Sequence, residues 1–460
     1  VFIYHGLVML LRLAVRVFYR RVEVVGLADV PPEGAGPVIF AGNHPNSLLD
    51  PALITVSCGR VVHFAAKDTL FRGRMMCWLL RQMGAVPIRR RDDHGGDAVQ
   101  NDDAFAALFD VLGRGRAMGI FPEGLSHDQS QLQRLKTGAA RVALGAARRH
   151  PGVTIRIVPT GLHYVRRHRF RTSVLIQFGE PIALDAAWLA RADADEREAA
   201  RALTDVIEQG IRALTVNAPD WQTLRALDGV RRLYQPAKLA LSEKIELARR
   251  FNEHYPEVAD HPDVIGLLDE IRRYEDRLTA LGLTDRDLVS GASKSRLLRR
   301  VAVHGAMLLL WLPLALVGAP IHLPLGLLLR WLAYRFAPRK DVVATTKFLM
   351  GLLLVLAVYG AVIAWGFWSL GLGWALQIAL LLPLSGYATL TVVSRFDAID
   401  RQLGLLISAI AVRPSFDALR AERARLSAAI VAIVQRLRPA DLELLYPEGP
   451  ASRAKGDSAR

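Results

Sequence analysis

The chain has 460 residues, 52% of them hydrophobic, and a formal net charge of +15. Its two cysteines, Cys58 and Cys77, exclude a disulfide framework and a cysteine zinc site. Zinc-finger spacing, an aromatic RNP-like strand and a long basic tail are all missing, so the positive charge points to an anionic membrane or an anionic substrate and not to nucleic acid.

Residues 1–21 are mostly apolar, contain Arg12 and Arg16, and end in Arg20-Arg21 with no small-residue cleavage site behind them. This pattern predicts an uncleaved helix in or on a membrane. From 22 to 215, strand-like runs at 22–26, 37–41, 61–66, 84–88, 117–121, 154–161 and 173–179 alternate with helical stretches near 48–57, 71–82, 101–113, 137–149 and 195–216. That alternation predicts an α/β domain. Residues 216–300 are charged with helical periodicity and predict a helical subdomain.

A stretch of about 29 residues without Asp, Glu, Lys or Arg separates Arg300 from Arg330, and one of about 47 separates Lys347 from Arg395. One span needs about 20 apolar residues, so the second stretch reads as two spans joined at Gly371-Leu372-Gly373. The first carries Pro313, Pro320 and Pro324 and has basic residues at both ends, which predicts a re-entrant or tight hairpin with both flanks on the cytoplasmic side. Membrane hairpins are therefore expected over 301–395, amphipathic helices over 396–446, and a disordered tail over 447–460.

Two short segments carry chemistry. The run Val38-Ile39-Phe40 leads into Gly42-Asn43-His44-Pro45-Asn46-Ser47-Leu48-Leu49-Asp50. Pro45 keeps His44 out of a helix, and Asn46 or Ser47 can cap a helix whose first turn holds Asp50. A turn there lets the carboxylate reach back to the imidazole, and a His held by an Asp is a general base for a hydroxyl near neutral pH. The other segment is Phe121-Pro122-Glu123-Gly124-Leu125-Ser126, again after an apolar approach. His127, His163 and His168 lack metal-ligand spacing and read as structural or surface residues, so no metal site is expected.

The first segment resembles the opening signature block of the glycerolipid acyltransferase superfamily, in the branch with five residues between His and Asp instead of four. Gly84-Ala85-Val86-Pro87-Ile88-Arg89 resembles the second block, Phe121-Pro122-Glu123-Gly124 the third, and Val158-Pro159-Thr160-Gly161 the fourth; Lys136-Thr137-Gly138 fits the family's Lys-x-Gly. The likeness covers about residues 20–215 and implies a mixed sheet flanked by helices.

It also implies a membrane-bound O-acyltransferase of phospholipid biosynthesis. The donor would be acyl-CoA or acyl-carrier protein, and the acceptor glycerol 3-phosphate, lysophosphatidate or a related lysophospholipid. His44 and Asp50 would be catalytic. Asn46, Arg72, Arg89, Glu123, Gly124, Ser126, Lys136 and Pro159 would bind substrate, with Arg89 and Lys136 on the phosphate and Pro159 beside the acyl cleft. Glu123 has a second reading, as support for its own loop. Arg90 and Arg91 read as a basic patch. The resemblance calls for no cofactor beyond the co-substrate. The apolar stretches, their basic flanks and the Arg-rich patches predict an integral membrane protein with the catalytic domain on the cytoplasmic face of the inner (plasma) membrane. The alternative is a lipid-binding scaffold of the same fold without turnover.

Overall fold

The computed structural model describes residues 2–89, 102–235, 239–289, 294–337, 339–411 and 413–437. Arg90, Arg91 and the predicted tail lie outside them. The chain forms two compact units, Val1–Asp220 with Ala337–Phe348, and Trp221–Phe336 with Leu349–Arg460.

In the first unit, helix α1 (Phe2–Phe18) runs directly into strand β1 (Tyr19–Val25), ending earlier than the predicted 21. One face of the helix is buried through Val15 and Phe18, and Met9 and Leu13 stand exposed on another. Then follow β2 (Val38–Gly42), α2 (Leu49–Ser57), β3 (Val62–Lys67), α3 (Arg74–Gln82), β4 (Val86–Ile88), α4 (Asp102–Gly113), β5 (Ala117–Ile120) and α5 (Gly138–Arg149). The fold continues with β6 (Arg156–Tyr164), β7 (Thr172–Phe178), β8 (Ile182–Ala183), α6 (Ala186–Ala194) and α7 (Glu196–Leu214).

The strands form one mixed sheet in the order β1-β7-β6-β2-β5-β3-β4, with β8 beside β6. β6 is antiparallel to β7 and β8, and the other pairs are parallel. Side chains alternate between faces along each strand. Ile39 of β2, Met118 of β5 and Ile157 of β6 pack with Leu108, Leu112, Ala143, Leu203 and Ile207 of the helices on one face. The alanines of α5 let that helix lie close to α4: a Cβ at Gly145 would come within 2.6 Å of the Phe109 ring. On the opposite face Phe40 meets Phe178, ring centroids 5.5 Å apart.

The second unit contains α8 (Trp221–Tyr234), α9 (Leu241–Val258), α10 (Pro262–Ala280), α11 (Asp285–Val289), α12 (Lys294–Phe336), most of α13 (Val343–Leu370), α14 (Leu372–Ala411) and α15 (Arg413–Leu437). Leu233, Tyr234, Phe251, Ile271, Tyr274, Leu426 and Ile430 share a core, so α15 belongs to the helical subdomain. The predicted hairpin over the first apolar stretch does not form, since α12 is one continuous helix with all three prolines inside it. A hairpin needs a residue that reverses the chain. In the apolar helices only Gly371, which separates α13 from α14, takes a left-handed φ among the described residues.

Among the described residues, three helices are long and apolar enough to cross a membrane: Leu298–Phe336, Lys340–Leu370 and Leu372–Gly404. Within this unit a Cβ at Gly318 would approach Ser385 to 2.7 Å, a close meeting of α12 and α14 through small residues. His322 ties the group together, its Nδ1 2.7 Å from the Gly318 carbonyl and its Nε2 2.8 Å from the Tyr359 hydroxyl.

Candidate active site

β2 and β5 are parallel neighbours, with Phe40 opposite Gly119 and Ala41 opposite Ile120. The two signature loops therefore leave the sheet side by side at its carboxyl edge, where ligand sites of open α/β sheets gather. On the other side of β5, Gly119 leaves room for Phe64 of β3, since a Cβ there would lie 2.0 Å from that ring.

Asn43 extends the sheet one residue past β2. Its amide donates to the Leu162 carbonyl at 3.1 Å and accepts from the Leu162 N–H at 2.8 Å. The following residue, His44, is then held on every side. Its N–H donates to Glu123 Oε1 at 2.7 Å, and its carbonyl accepts from the His127 N–H at 3.2 Å. Its ring stacks on Phe121 with centroids 4.1 Å apart and planes 9° apart. Nδ1 lies 2.8 Å from Asp50 Oδ2, so this nitrogen carries the proton. Nε2 has no hydrogen-bond partner among the described residues, and the side chain is 12% exposed.

Asp50 is fully buried in the first turn of α2. Besides His44, its Oδ2 accepts the Asn46 N–H at 2.6 Å, and its Oδ1 accepts the Tyr164 hydroxyl at 2.5 Å. Burial, reinforced by the Asp50 carboxylate, pushes the Tyr164 phenol well above its ordinary range, so it stays a donor. The turn between the two residues holds Ser47 at φ 51, a left-handed conformation uncommon outside glycine. That reversal brings Asp50 under the imidazole across five intervening residues.

The other expected site residues divide between those near the pair and those set apart from it. Glu123 is 5% exposed, and its Oε2 accepts from the Gln133 N–H at 2.9 Å and from His127 Nε2. With Oε1 on His44, this carboxylate holds its own loop and the His44 backbone together. Gly124 has φ +82, and a Cβ there would lie 2.9 Å from the Lys136 side chain, so Lys136 runs beneath this loop. The Ser126 hydroxyl donates to Asp341 Oδ2 at 2.5 Å, and Arg339 donates to Ser126 Oγ at 3.2 Å. Asn46 is buried, its backbone N–H on Asp50.

Three of the expected residues are not brought to the pair. Arg89 follows β4, three strand spacings or about 14 Å sideways from β2. Arg72 is exposed before α3. Pro159 lies in mid-strand on the α7 face, where a Cβ on Gly210 would come within 2.6 Å of its ring. Tyr164, five residues on, reaches Asp50 from the other face. The predicted strand end at 161 hid Tyr164, because pairing with β7 carries β6 on from Thr160 to Tyr164. Extending the period-2 pattern of Val158, Thr160 and Leu162 would have found it.

Burial holds the imidazoles of His63, His163 and His168 below their ordinary value of 6.5, outweighing the Gly84 and Leu214 carbonyls on the first two and Asp128 near the third. A histidine neutral in the fold and protonated in the unfolded chain makes stability rise with pH between its native and unfolded values. The first unit is thus expected to lose stability as pH falls below about 6.5. Melting midpoints recorded on either side of that value check this, and His163→Gln should flatten the dependence.

Two family descriptions match the chain: Acyltransferase over residues 21–163, and Glycerol-3-phosphate acyltransferase 2 C-terminal domain over residues 226–442. Saccharomyces cerevisiae glycerol-3-phosphate O-acyltransferase 2 is 36% identical over 195 residues, 42% of this chain and 26% of the relative. Glycerol-3-phosphate O-acyltransferase 1 of the same yeast is 31% identical over 272 residues, 55% of this chain and 36% of the relative. An uncharacterised acyltransferase of Schizosaccharomyces pombe is 26% identical over 451 residues, 76% of this chain and 66% of the relative. The chain thus spans between about a quarter and two thirds of the length of these relatives. Four motif blocks in order on a mixed sheet, and the two family matches in succession, support a place for the chain in the glycerolipid acyltransferase superfamily.

Proposed function

We propose that the chain is a membrane-bound O-acyltransferase that moves a fatty acyl group from a thioester to a hydroxyl of glycerol 3-phosphate or a closely related glycerophosphate. The observation that supports this most strongly is the His44–Asp50 pair, with Nε2 open at the carboxyl edge of the sheet. His44 Nε2 takes the proton of the acceptor hydroxyl as its oxygen attacks the thioester carbonyl. Asp50 holds the tautomer and balances the imidazolium that forms. The tetrahedral intermediate then collapses, the thiolate leaves, and the imidazolium returns a proton to it. No covalent acyl-enzyme is needed, and alignment of acceptor and donor supplies much of the rate.

Lys136, running under Gly124 beside the loop that binds His44, is the cation best placed for the acceptor phosphate. Arg89 stands farther along the sheet edge and would meet only an acceptor that extends that far. Glycerol 3-phosphate is favoured because the two named yeast relatives carry it in their descriptions. Acyl-CoA or acyl-carrier protein would be the donor. The three long apolar helices would hold the catalytic unit at the lipid surface where product resides, and the cytoplasmic face, with its anionic lipid, suits the net positive charge.

The test is purified full-length protein in lipid nanodiscs with one acyl-CoA and a panel of acceptors, the products read by mass. Glycerol 3-phosphate, lysophosphatidate and a lysophospholipid are compared with glycerol and monoacylglycerol. Transfer confined to the phosphorylated acceptors is expected. Equal rates on glycerol would remove the phosphate role of Lys136. Acceptor binding without any product would leave the scaffold reading in its place.

A further inference from the structure

Residues 337–348 follow α12 and include the first turns of α13, which holds Thr345, yet they belong to the first unit. They are anchored there at several points. Ala344, Thr345, Asp341 and Phe348 are each 5% exposed or less. Asp341 accepts from Ser126 and from Arg339, which also reaches the Ser126 hydroxyl. Lys347 Nζ donates to the His168 carbonyl at 2.9 Å, and Phe348 meets Phe18 edge to face at 5.4 Å. This segment is a fixed part of the wall around the signature loops.

One of its bonds reaches the catalytic pair. The Thr345 hydroxyl donates to the Asn46 carbonyl at 2.9 Å, across 299 positions of sequence. That carbonyl also accepts from the Leu49 N–H at 3.2 Å, closing the turn that contains the left-handed Ser47. The N–H of the same Asn46 lies on Asp50 Oδ2, the oxygen that faces His44 Nδ1. Asn46 is therefore a two-ended link, its carbonyl tied to Thr345 and its N–H to the carboxylate that orients the imidazole. A turn with a left-handed serine and five residues to span keeps its shape only if something outside it holds it.

We infer that Thr345 is a positioning residue for the His44–Asp50 pair, acting through Asn46. The inference rests on the proposed reaction for its kinetic consequence, but its geometric content does not. Removing the hydroxyl leaves the Asn46 carbonyl on Leu49 alone and frees the turn to relax. Asp50 then shifts under the ring, and Nε2 moves off the line to the acceptor hydroxyl.

The experiment compares full-length wild type with Thr345→Val, which keeps the side-chain shape and loses the donor, and Thr345→Ser, which keeps the donor. Two quantities are read: steady-state acyl transfer, and the pH dependence of hydrogen exchange at C2 of the His44 ring, followed by mass spectrometry. Thr345→Val is expected to lower kcat by about ten- to a hundred-fold, the scale of a misplacement on the order of 1 Å, with both KM values little changed. Its His44 titration should move away from wild type, and Thr345→Ser should restore both readouts. Should Thr345→Val fail to fold, Thr345→Ala carries the same comparison.

A folded donor-less variant with wild-type kcat and an unmoved His44 titration overturns the inference, as does a loss that serine fails to restore. If wild type transfers no acyl group at all, the proposed reaction falls. The His44 titration still decides the positioning role in that case, so the two failures are told apart.

Discussion

His44→Ala is expected to lower kcat for acyl transfer by about 10²–10⁴-fold, the usual contribution of a positioned general base, with KM for donor and acceptor little changed. The fold should survive the change. Asp50 keeps the Asn46 N–H and the Tyr164 hydroxyl as donors, and alanine retains the backbone N–H that Glu123 holds. A proton taken only as the oxygen attacks is a transition-state interaction, so kcat and kcat/KM should fall together. Rates at saturating acceptor, with melting midpoints recorded alongside, make the comparison. A variant within a factor of about two of wild type, far less than a general base contributes, would show that the imidazole takes no proton in the rate-limiting step.

Glu123→Ala is expected to act on the fold as much as on the reaction. The carboxylate takes the His44 N–H on one oxygen, and the Gln133 N–H and His127 ring on the other. Alanine strands two partly buried backbone donors, at about 1–3 kcal/mol each, so a loss of about 2–6 kcal/mol in unfolding free energy is expected. Activity should fall as well, because the His44 backbone loses its anchor. Glutamine is no conservative replacement: its amide nitrogen would face either the Gln133 N–H or the His44 N–H, donor against donor. A residue that only touched the acceptor hydroxyl would behave differently, leaving the melting midpoint in place and raising the acceptor KM. Thermal melts and acceptor titrations on the same preparation separate the two.

The pattern of elements in the first unit was readable from local signals. Apolar runs marked β2, β5 and β7 to within a residue or so, and helical periodicity marked α2, α4, α5 and α7 as closely. The approach of His44 and Asp50 was also readable, because Pro45 forbids a helix there and a capped turn is the remaining route. Other assignments needed the fold. Pro159 sits in a motif block, but strand alternation turns it toward α7 while Tyr164 faces Asp50. Arg89 follows a strand end as expected, yet the strand order sets it three places from His44. The prolines of α12 suggested a hairpin, whereas an apolar helix accommodates proline where neighbouring groups satisfy the freed backbone.

Residue order alone indicated an α/β acyltransferase-like unit, a charged helical region, long apolar segments and the pairing of His44 with Asp50. These follow from periodicity, turn chemistry and charge, each of which acts within a few residues. The rest depended on packing. Tyr164 on Asp50, Glu123 on the His44 backbone, Asp341 on Ser126 and Thr345 on Asn46 join residues 79 to 299 positions apart. Such partners meet because of strand order and of where the chain re-enters the first unit after α12. A hydrogen bond of about 3 Å reports where two groups lie in space, and no period or spacing along one chain records that.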